Sequence, residues 1–91
     1  MKAPAYKIVY RRYFEDDRQE IYFYEHSLEL ATELARRLAH AYTPKHEPEL
    51  VAVKLFIEDL KKHRDVFKIK VSRTETGEPC IEEEENENVS T

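Results

Sequence analysis

The alternation of apolar and polar residues predicts two β-strands near the start of the chain. Residues 6–14 and 20–26 are rich in β-branched and aromatic side chains, and apolar positions recur in them at a spacing near two. Such runs are typical of strands. Between them, residues 15–19 are polar and include Asp16 and Asp17, and Asp tolerates the left-handed backbone that tight turns need. The pattern therefore predicts a β-hairpin over residues 6–26.

A helical period replaces the strand pattern in residues 28–42. Projected at about 100° per residue, the apolar side chains fall on one face, and they are Leu30, Ala31, Leu34, Ala35, Leu38, Ala41 and Tyr42. Ser27 suits the N-cap, because its hydroxyl can accept a hydrogen bond from the first turn. Pro44 ends the segment, because the residue before a proline is pushed out of the helical region. The sequence predicts an amphipathic helix with Leu34 and Leu38 at the centre of the core.

Residues 48–64 fit two interpretations. As a strand, they place four apolar side chains on one face in strict alternation, namely Val51, Val53, Leu55 and Ile57. As a helix, they scatter the apolar residues around the circle, although Pro48 suits the first helical residue and the basic residues 61–64 suit a helix C-terminus. The alternation favours the strand. Residues 66–73 also alternate and predict the last strand, with residues 58–65 as a loop or a short helical turn.

These elements predict a small α+β domain of order ββαββ, an antiparallel sheet with one helix packed across one face. The alternative, with residues 48–64 helical, is ββααβ. We expect residues 1–76 to form a single domain and residues 77–91 to form an acidic, disordered C-terminal tail. Residues 82–85 are all Glu, and such a run offers little apolar surface to bury.

The distribution of charge supports this division. The net charge is −4, but residues 1–74 hold all 15 Lys and Arg with 12 of the 19 Asp and Glu, which gives +3. The other seven acids lie in residues 75–91, where no Lys or Arg offsets them. A mildly basic body with an acidic end is the main compositional feature of the chain.

Motifs for catalysis or cofactor binding do not occur in the sequence. A single Gly cannot build a phosphate-binding loop, and no G-x-S-x-G, H-E-x-x-H or C-x-x-C motif is present. The four His residues lack metal-ligand spacing, and one cysteine, Cys80, cannot form a disulfide within the chain. We therefore expect no enzyme activity, no metal or other cofactor and no small-molecule substrate. With no signal-peptide run or apolar span, we expect a cytoplasmic protein that does not bind membranes.

The sheet face away from the helix is where the sequence suggests binding. If the helix covers one set of alternating side chains, these are Ile8, Tyr10, Phe14, Ile21, Phe23, Phe67, Ile69 and Val71. The opposite face then carries tyrosines interleaved with basic residues, and the candidate partner-binding residues are Arg11, Tyr13, Tyr22, Tyr24, Lys54, Lys68 and Lys70. Tyr and Arg are enriched at the hot spots of protein interfaces. Aromatic and basic side chains on an open sheet also serve to stack bases and neutralise phosphates.

We therefore expect a non-enzymatic interaction module, a small adaptor or inhibitor that binds a protein partner, or itself as a homodimer, through this Tyr/Lys/Arg face. Compact domains of this kind occur among phage and mobile-element proteins, an analogy of fold alone. The alternative is a single-stranded nucleic-acid-binding protein that uses the same face, although the acidic tail would compete with phosphate for the cations. A subunit of a small oligomeric enzyme is the third hypothesis.

Overall fold

A computed structural model describes residues 5–43, 45–57 and 61–85 of the chain, with Ile57 described by its backbone alone. Within these residues the chain forms five strands and one helix. They are β1 (Tyr6–Phe14), β2 (Asp17–Glu25), α1 (Leu28–Ala39), β3 (His46–Ile57), β4 (Lys62–Arg73) and β5 (Pro79–Glu85). The strands make one antiparallel sheet in the order β2-β1-β3-β4-β5. The prediction of a small α+β domain with a single helix is confirmed.

The structure departs from the predicted element order at the end of the chain. Residues 79–85, predicted to lie in a disordered tail, form β5 and pair with β4 from Arg73↔Pro79 to Phe67↔Glu85. The order is therefore ββαβββ, and the predicted boundary at residue 76 does not mark the end of the sheet. Ile81 packs against the core, and the glutamates beside it find basic partners in the rest of the fold. Residues 86–91 lie outside the described residues.

The ambiguous middle of the chain is strand. β3 runs from His46 to Ile57, five residues earlier than the alternation indicated, and β4 begins at Lys62 within the segment predicted as a loop. The ββααβ alternative is therefore wrong. A β-bulge lies in the β3–β4 pairing between Val53 and Lys54, and such a bulge bends and twists a strand.

The hairpin of β1 and β2 is closed by two residues in the left-handed region. Glu15 has φ 49° and Asp16 has φ 67°, the geometry of a type I′ turn, whose twist matches that of the flanking strands. The pairing then continues without a register shift from Phe14↔Asp17 to Tyr6↔Glu25. The aspartate that the sequence singled out as a turn former does occupy the turn.

Helix α1 lies against the sheet through its small residues. Ser27 caps it as predicted, with Oγ accepting a hydrogen bond from the Leu30 amide at 3.1 Å. The fully buried positions are Ala31, Ala35 and Ala39, whereas Leu34 and Leu38 are half-buried beside them. The expectation that the two leucines form the centre of the core is corrected here: alanines let the helix approach the sheet closely, and the leucines pack along its flank.

The core lies between α1 and the three central strands. Its fully buried sheet residues include Ile8, Tyr10, Val51, Val53, Phe67 and Ile69. Of the side chains predicted to face the helix, Phe23 and Val71 pack against this cluster at its margin, and Phe14 is exposed at the end of β1. Within the described residues, no helix is both long and apolar enough to cross a membrane.

Candidate protein-binding face

The seven predicted site residues share one face of the sheet, which we call the far face because α1 lies on the other side. Arg11 and Tyr13 lie on β1, Tyr22 and Tyr24 on β2, Lys54 on β3, and Lys68 and Lys70 on β4. Cross-strand partners in a sheet point to the same side. The registers Val9↔Tyr22, Val9↔Ala52 and Ala52↔Lys68 therefore connect the four strands from β2 to β4 on this face.

The middle of the far face consists of apolar residues that are already shielded from water. Val9 is 6% exposed and Ala52 is 4% exposed, yet neither belongs to the cluster that packs under the helix. Long side chains lie opposite them in the register, with Tyr22 across from Val9 and Lys68 across from Ala52. Amphipathic side chains of this kind can lie along apolar surface, and the low exposure of Val9 and Ala52 means that the centre of the far face is not an open apolar patch.

Tyrosines form the β1–β2 half of this face. Tyr22 and Tyr24 are 48% and 56% exposed, and Tyr13 is also exposed. The Lys7 ammonium nitrogen lies 4.4 Å from the centroid of the Tyr22 ring, a cation–π contact. The Tyr22 hydroxyl donates a hydrogen bond to the Glu20 carboxylate, and this bond raises the pKa of Tyr22. The contacts hold Tyr22 in place while much of it stays accessible.

The four basic candidate residues of the far face are paired with acids of the same chain. Arg11 bonds Glu20 at 2.8 Å, and Lys70 lies 3.5 Å from Glu84 on β5. The Asp65 carboxylate accepts a hydrogen bond from the Lys54 ammonium at 2.7 Å, and it lies 3.7 Å from the Lys68 ammonium.

These contacts lower the pKa values of Asp65 and Glu20. The hydrogen bond from Lys54 is the largest effect on the pKa of Asp65. For Glu20, the hydrogen bonds from Tyr22 and then Arg11 lower the pKa. Asp65 and Glu20 therefore stay ionised at neutral pH, and the far face carries side chains of both charges.

The acids of the far face are what the sequence interpretation missed. The sequence predicts Glu84 in a disordered tail and Asp65 in a loop, whereas both lie on strands. The chain carries only part of a signal for the β4–β5 pairing, because Lys68 and Lys70 alternate in β4 but residues 82–85 are all Glu and do not alternate. The register places Lys68 opposite Glu84 and Lys70 opposite Glu82, and opposite charges across strands stabilise pairing.

Chemistry elsewhere in the described residues is limited. In residues 5–43, 45–57 and 61–85, no three His, Cys, Asp or Glu side chains lie together as metal ligands would. Tyr10 and His46 form one part-buried polar pair on the helix side, where the Tyr10 hydroxyl hydrogen-bonds the imidazole Nε2. Cys80 is half-buried on β5.

Comparisons of the chain with known protein families, with curated proteins and with solved structures find no significant match.

Proposed function

We propose that this protein is an interaction module, a small adaptor or inhibitor, that binds a protein partner through the far face. The observation that carries the proposal is the combination of three exposed tyrosines with cations whose charge is already offset. Tyrosine supplies a large, rigid contact area with a polar tip, and it is enriched at the energetic centres of interfaces. The β1–β2 half of the far face, with Tyr13, Tyr22 and Tyr24, would form the contact.

The ion pairs favour a protein partner over a nucleic acid. Nucleic-acid affinity comes largely from cations that replace the counterions of the phosphates. On the far face, Lys54, Lys68 and Lys70 lie within 4 Å of acids, so a phosphate would have to displace those carboxylates. A protein surface with its own mixture of charges can fit around the same pairs without breaking them.

The tyrosines can be tested by substitution once a partner is captured. A pull-down from cell lysate, with and without nuclease treatment, isolates the partner and shows whether nucleic acid bridges it. Tyr22→Ser with Tyr24→Ser should then weaken binding at least about tenfold, because loss of a hot-spot side chain costs roughly 2 kcal/mol or more. The matched control is Leu28→Ser, since Leu28 is also exposed but lies on α1, on the opposite side of the sheet from the far face. It should leave the affinity unchanged.

Charge reversal separates the two binding hypotheses. For a protein partner, Lys68→Glu with Lys70→Glu should have a smaller effect than the tyrosine changes, and salt should mainly alter the association rate. For a nucleic acid, the same reversal should abolish binding of a single-stranded oligonucleotide, and wild-type affinity should fall steeply with salt. Tight, salt-sensitive oligonucleotide binding that this reversal abolishes would overturn the protein-partner proposal. Partner binding that survives both sets of changes would place the site elsewhere.

A further inference from the structure

The outer edge of β2 presents unused hydrogen-bonding groups. Among the described strands, β2 pairs only with β1 and β5 only with β4, so these two form the edges of the sheet. In a hairpin with a two-residue turn, the residues flanking the turn are hydrogen-bonded to each other and the pattern then alternates. Because Phe14 and Asp17 flank the turn, the odd residues of β2 bond to β1. The amide and carbonyl groups of Arg18, Glu20, Tyr22 and Tyr24 therefore point outward.

The two edges differ in how well they are protected against pairing with another strand. Charged side chains on an edge strand oppose such pairing, and β5 carries four consecutive glutamates at residues 82–85. β2 has the sequence DRQEIYFYE, in which both charges occur and the second half is mostly aromatic. An edge with high strand propensity, mixed charge and free hydrogen-bonding groups is suited to pairing with another strand.

The charges and apolar side chains of β2 complement those of a second copy in one particular register. Antiparallel pairing about a two-fold axis centred on Tyr22 places Ile21 opposite Phe23 of the second copy, and Glu20 opposite Tyr24. No acid then faces another acid within β2. A register centred on Ile21 would instead place Asp17 opposite Glu25 twice in each dimer, and like charges directly opposite each other are destabilising.

The helix side of β2 also has apolar surface to bury. Arg36 identifies the flank of α1 that faces β4 and β5, because its guanidinium carbon lies 5.4 Å from the Phe67 ring centroid and it pairs with Glu83. At 100° per residue, Leu34 projects from the opposite flank, toward the β2 side, and Leu30 lies further round the same flank, toward solvent. Leu30 is 52% exposed. Together with the half-buried Ile21 and Phe23, this flank forms an incompletely covered apolar surface beside the edge.

We propose that two copies of this chain associate through β2, antiparallel and centred on Tyr22, to form one continuous ten-stranded sheet with both helices on the same side. In every antiparallel two-fold register of this kind, paired residues point to the same side of the joined sheet. The two helices therefore lie on the same side of it. Self-association also suits a domain this small, which buries a limited share of its own surface. This inference concerns the edge of the sheet and does not rest on a partner at the far face.

Sedimentation velocity of the purified chain from micromolar to millimolar concentration tests the dimer. The wild type should shift from monomer to dimer as its concentration rises. Tyr24→Glu places a carboxylate opposite Glu20 of the other copy twice, and it should raise the dimer dissociation constant at least about tenfold. Adding Glu20→Lys to that variant converts both repulsions into ion pairs and should restore the dimer. The matched control Tyr13→Glu changes the same face on β1, away from the edge, and should leave the dissociation constant unchanged.

Amide hydrogen exchange by NMR tests the register independently of any substitution. At concentrations where the dimer forms, exchange should slow at Glu20, Tyr22 and Tyr24, whose amides point outward. The amides of Ile21 and Phe23 bond to β1 and should be protected at every concentration. A wild type that stays monomeric throughout would overturn the proposal. So would a dimer that Tyr24→Glu leaves intact, or a dimer whose outward β2 amides gain no protection.

Discussion

At the scale of single residues, the contact between buried Tyr10 and half-buried His46 shows how position changes a side chain's chemistry. Tyr10 is 1% exposed, and its burial raises its pKa, so the phenol stays neutral. Burial also lowers the pKa of His46, and the positive charge of Arg12 lowers it further. The fold therefore favours the neutral imidazole at the start of β3, where it hydrogen-bonds the Tyr10 hydroxyl.

The depressed pKa of His46 predicts a loss of stability on mild acidification. In the unfolded chain the imidazole has its ordinary pKa of 6.5, above its value in the folded protein. The unfolded state therefore binds the proton more readily below pH 6.5, and the free energy of unfolding should fall as the pH drops from that value toward the folded pKa. His46→Gln removes the titration and should flatten this part of the profile.

Urea unfolding between pH 7.5 and 5 measures the effect. This pH window is separate from the one in which Glu20 and Asp65 affect stability. Their pKa values are lowered from the ordinary values of 4.5 and 3.8, so their effect on stability lies at lower pH. His26→Gln, at an exposed residue between β2 and α1, is the control and should keep the wild-type dependence. An unchanged slope in His46→Gln would show that the imidazole does not couple folding to pH.

At the scale of elements, β5 is the strand that the sequence pattern does not predict. The hairpin and the start of α1 follow from local signals, since the Asp-containing turn and the Ser27 cap act within a few residues. Four glutamates in a row have low strand propensity, so nothing local predicts a strand at residues 79–85. The strand depends on distant partners: Glu83 pairs with Arg36 on the helix, and Glu84 pairs with Lys70 on β4. Only the assembled sheet brings them together.

For helix α1 and for the far face, the sequence pattern predicts which side chains share a face but not what those side chains contact. Periodicity identified the apolar stripe of α1 but not which part of it faces the sheet, so Leu34 and Leu38 were placed where Ala31 and Ala35 lie. Alternation correctly placed all seven candidate residues on one face, because the side-chain period of a strand is two. It could not show the ion pairs, since Asp65 and Glu84 reach the face only through the register of β4 and β5.

The contribution of β5 can be measured by removing it. A chain ended after Glu78 loses the ladder with β4 and uncovers the edge beside Val71, so we expect a melting temperature several degrees lower. About 1 kcal/mol corresponds to roughly 4–8 °C in a domain of this size. Ile81→Ser, on the side that packs against the core, should lower it in the same direction. Cys80→Ser, on the other side of the strand, should change it little. A shortened chain that melts like the wild type would mean that β5 adds no net stability.

At the scale of the whole molecule, the acidic residues 82–85 lie along one edge of the sheet and pair with basic side chains on both of its faces. The seven acids of residues 75–91 offset a body of charge +3, and four of them lie along one edge of the sheet in β5. They neutralise basic side chains on both faces, through Arg36 on the helix side and Lys70 on the far face. The result is a sheet with one acidic edge and one edge of mixed charge and aromatic character, so its two ends are not equivalent as binding surfaces.

The acidic edge should limit how many copies can join. Glu82→Thr with Glu85→Thr removes half of the charge from residues 82–85 while retaining Glu83 and Glu84, which hold the ion pairs of the strand. Thr favours strands, and a neutral edge is open to pairing. If β2 already joins two copies, a second self-pairing edge cannot close the assembly, and dimers should grow into longer arrays. Light scattering over time should show growth that rises with protein concentration.

The matched control keeps the negative charge of the edge. Glu82→Asp with Glu85→Asp changes the same two positions and retains four acids in residues 82–85, which oppose pairing, so this variant should not assemble beyond the wild type. Sedimentation velocity distinguishes the remaining possibilities for the threonine variant. Arrays larger than a dimer require both edges to pair. If the wild type is a monomer at the same concentration, a threonine variant that forms dimers would indicate pairing through β5 alone and would count against association through β2. No added association in the threonine variant would mean that charge is not what protects the β5 edge.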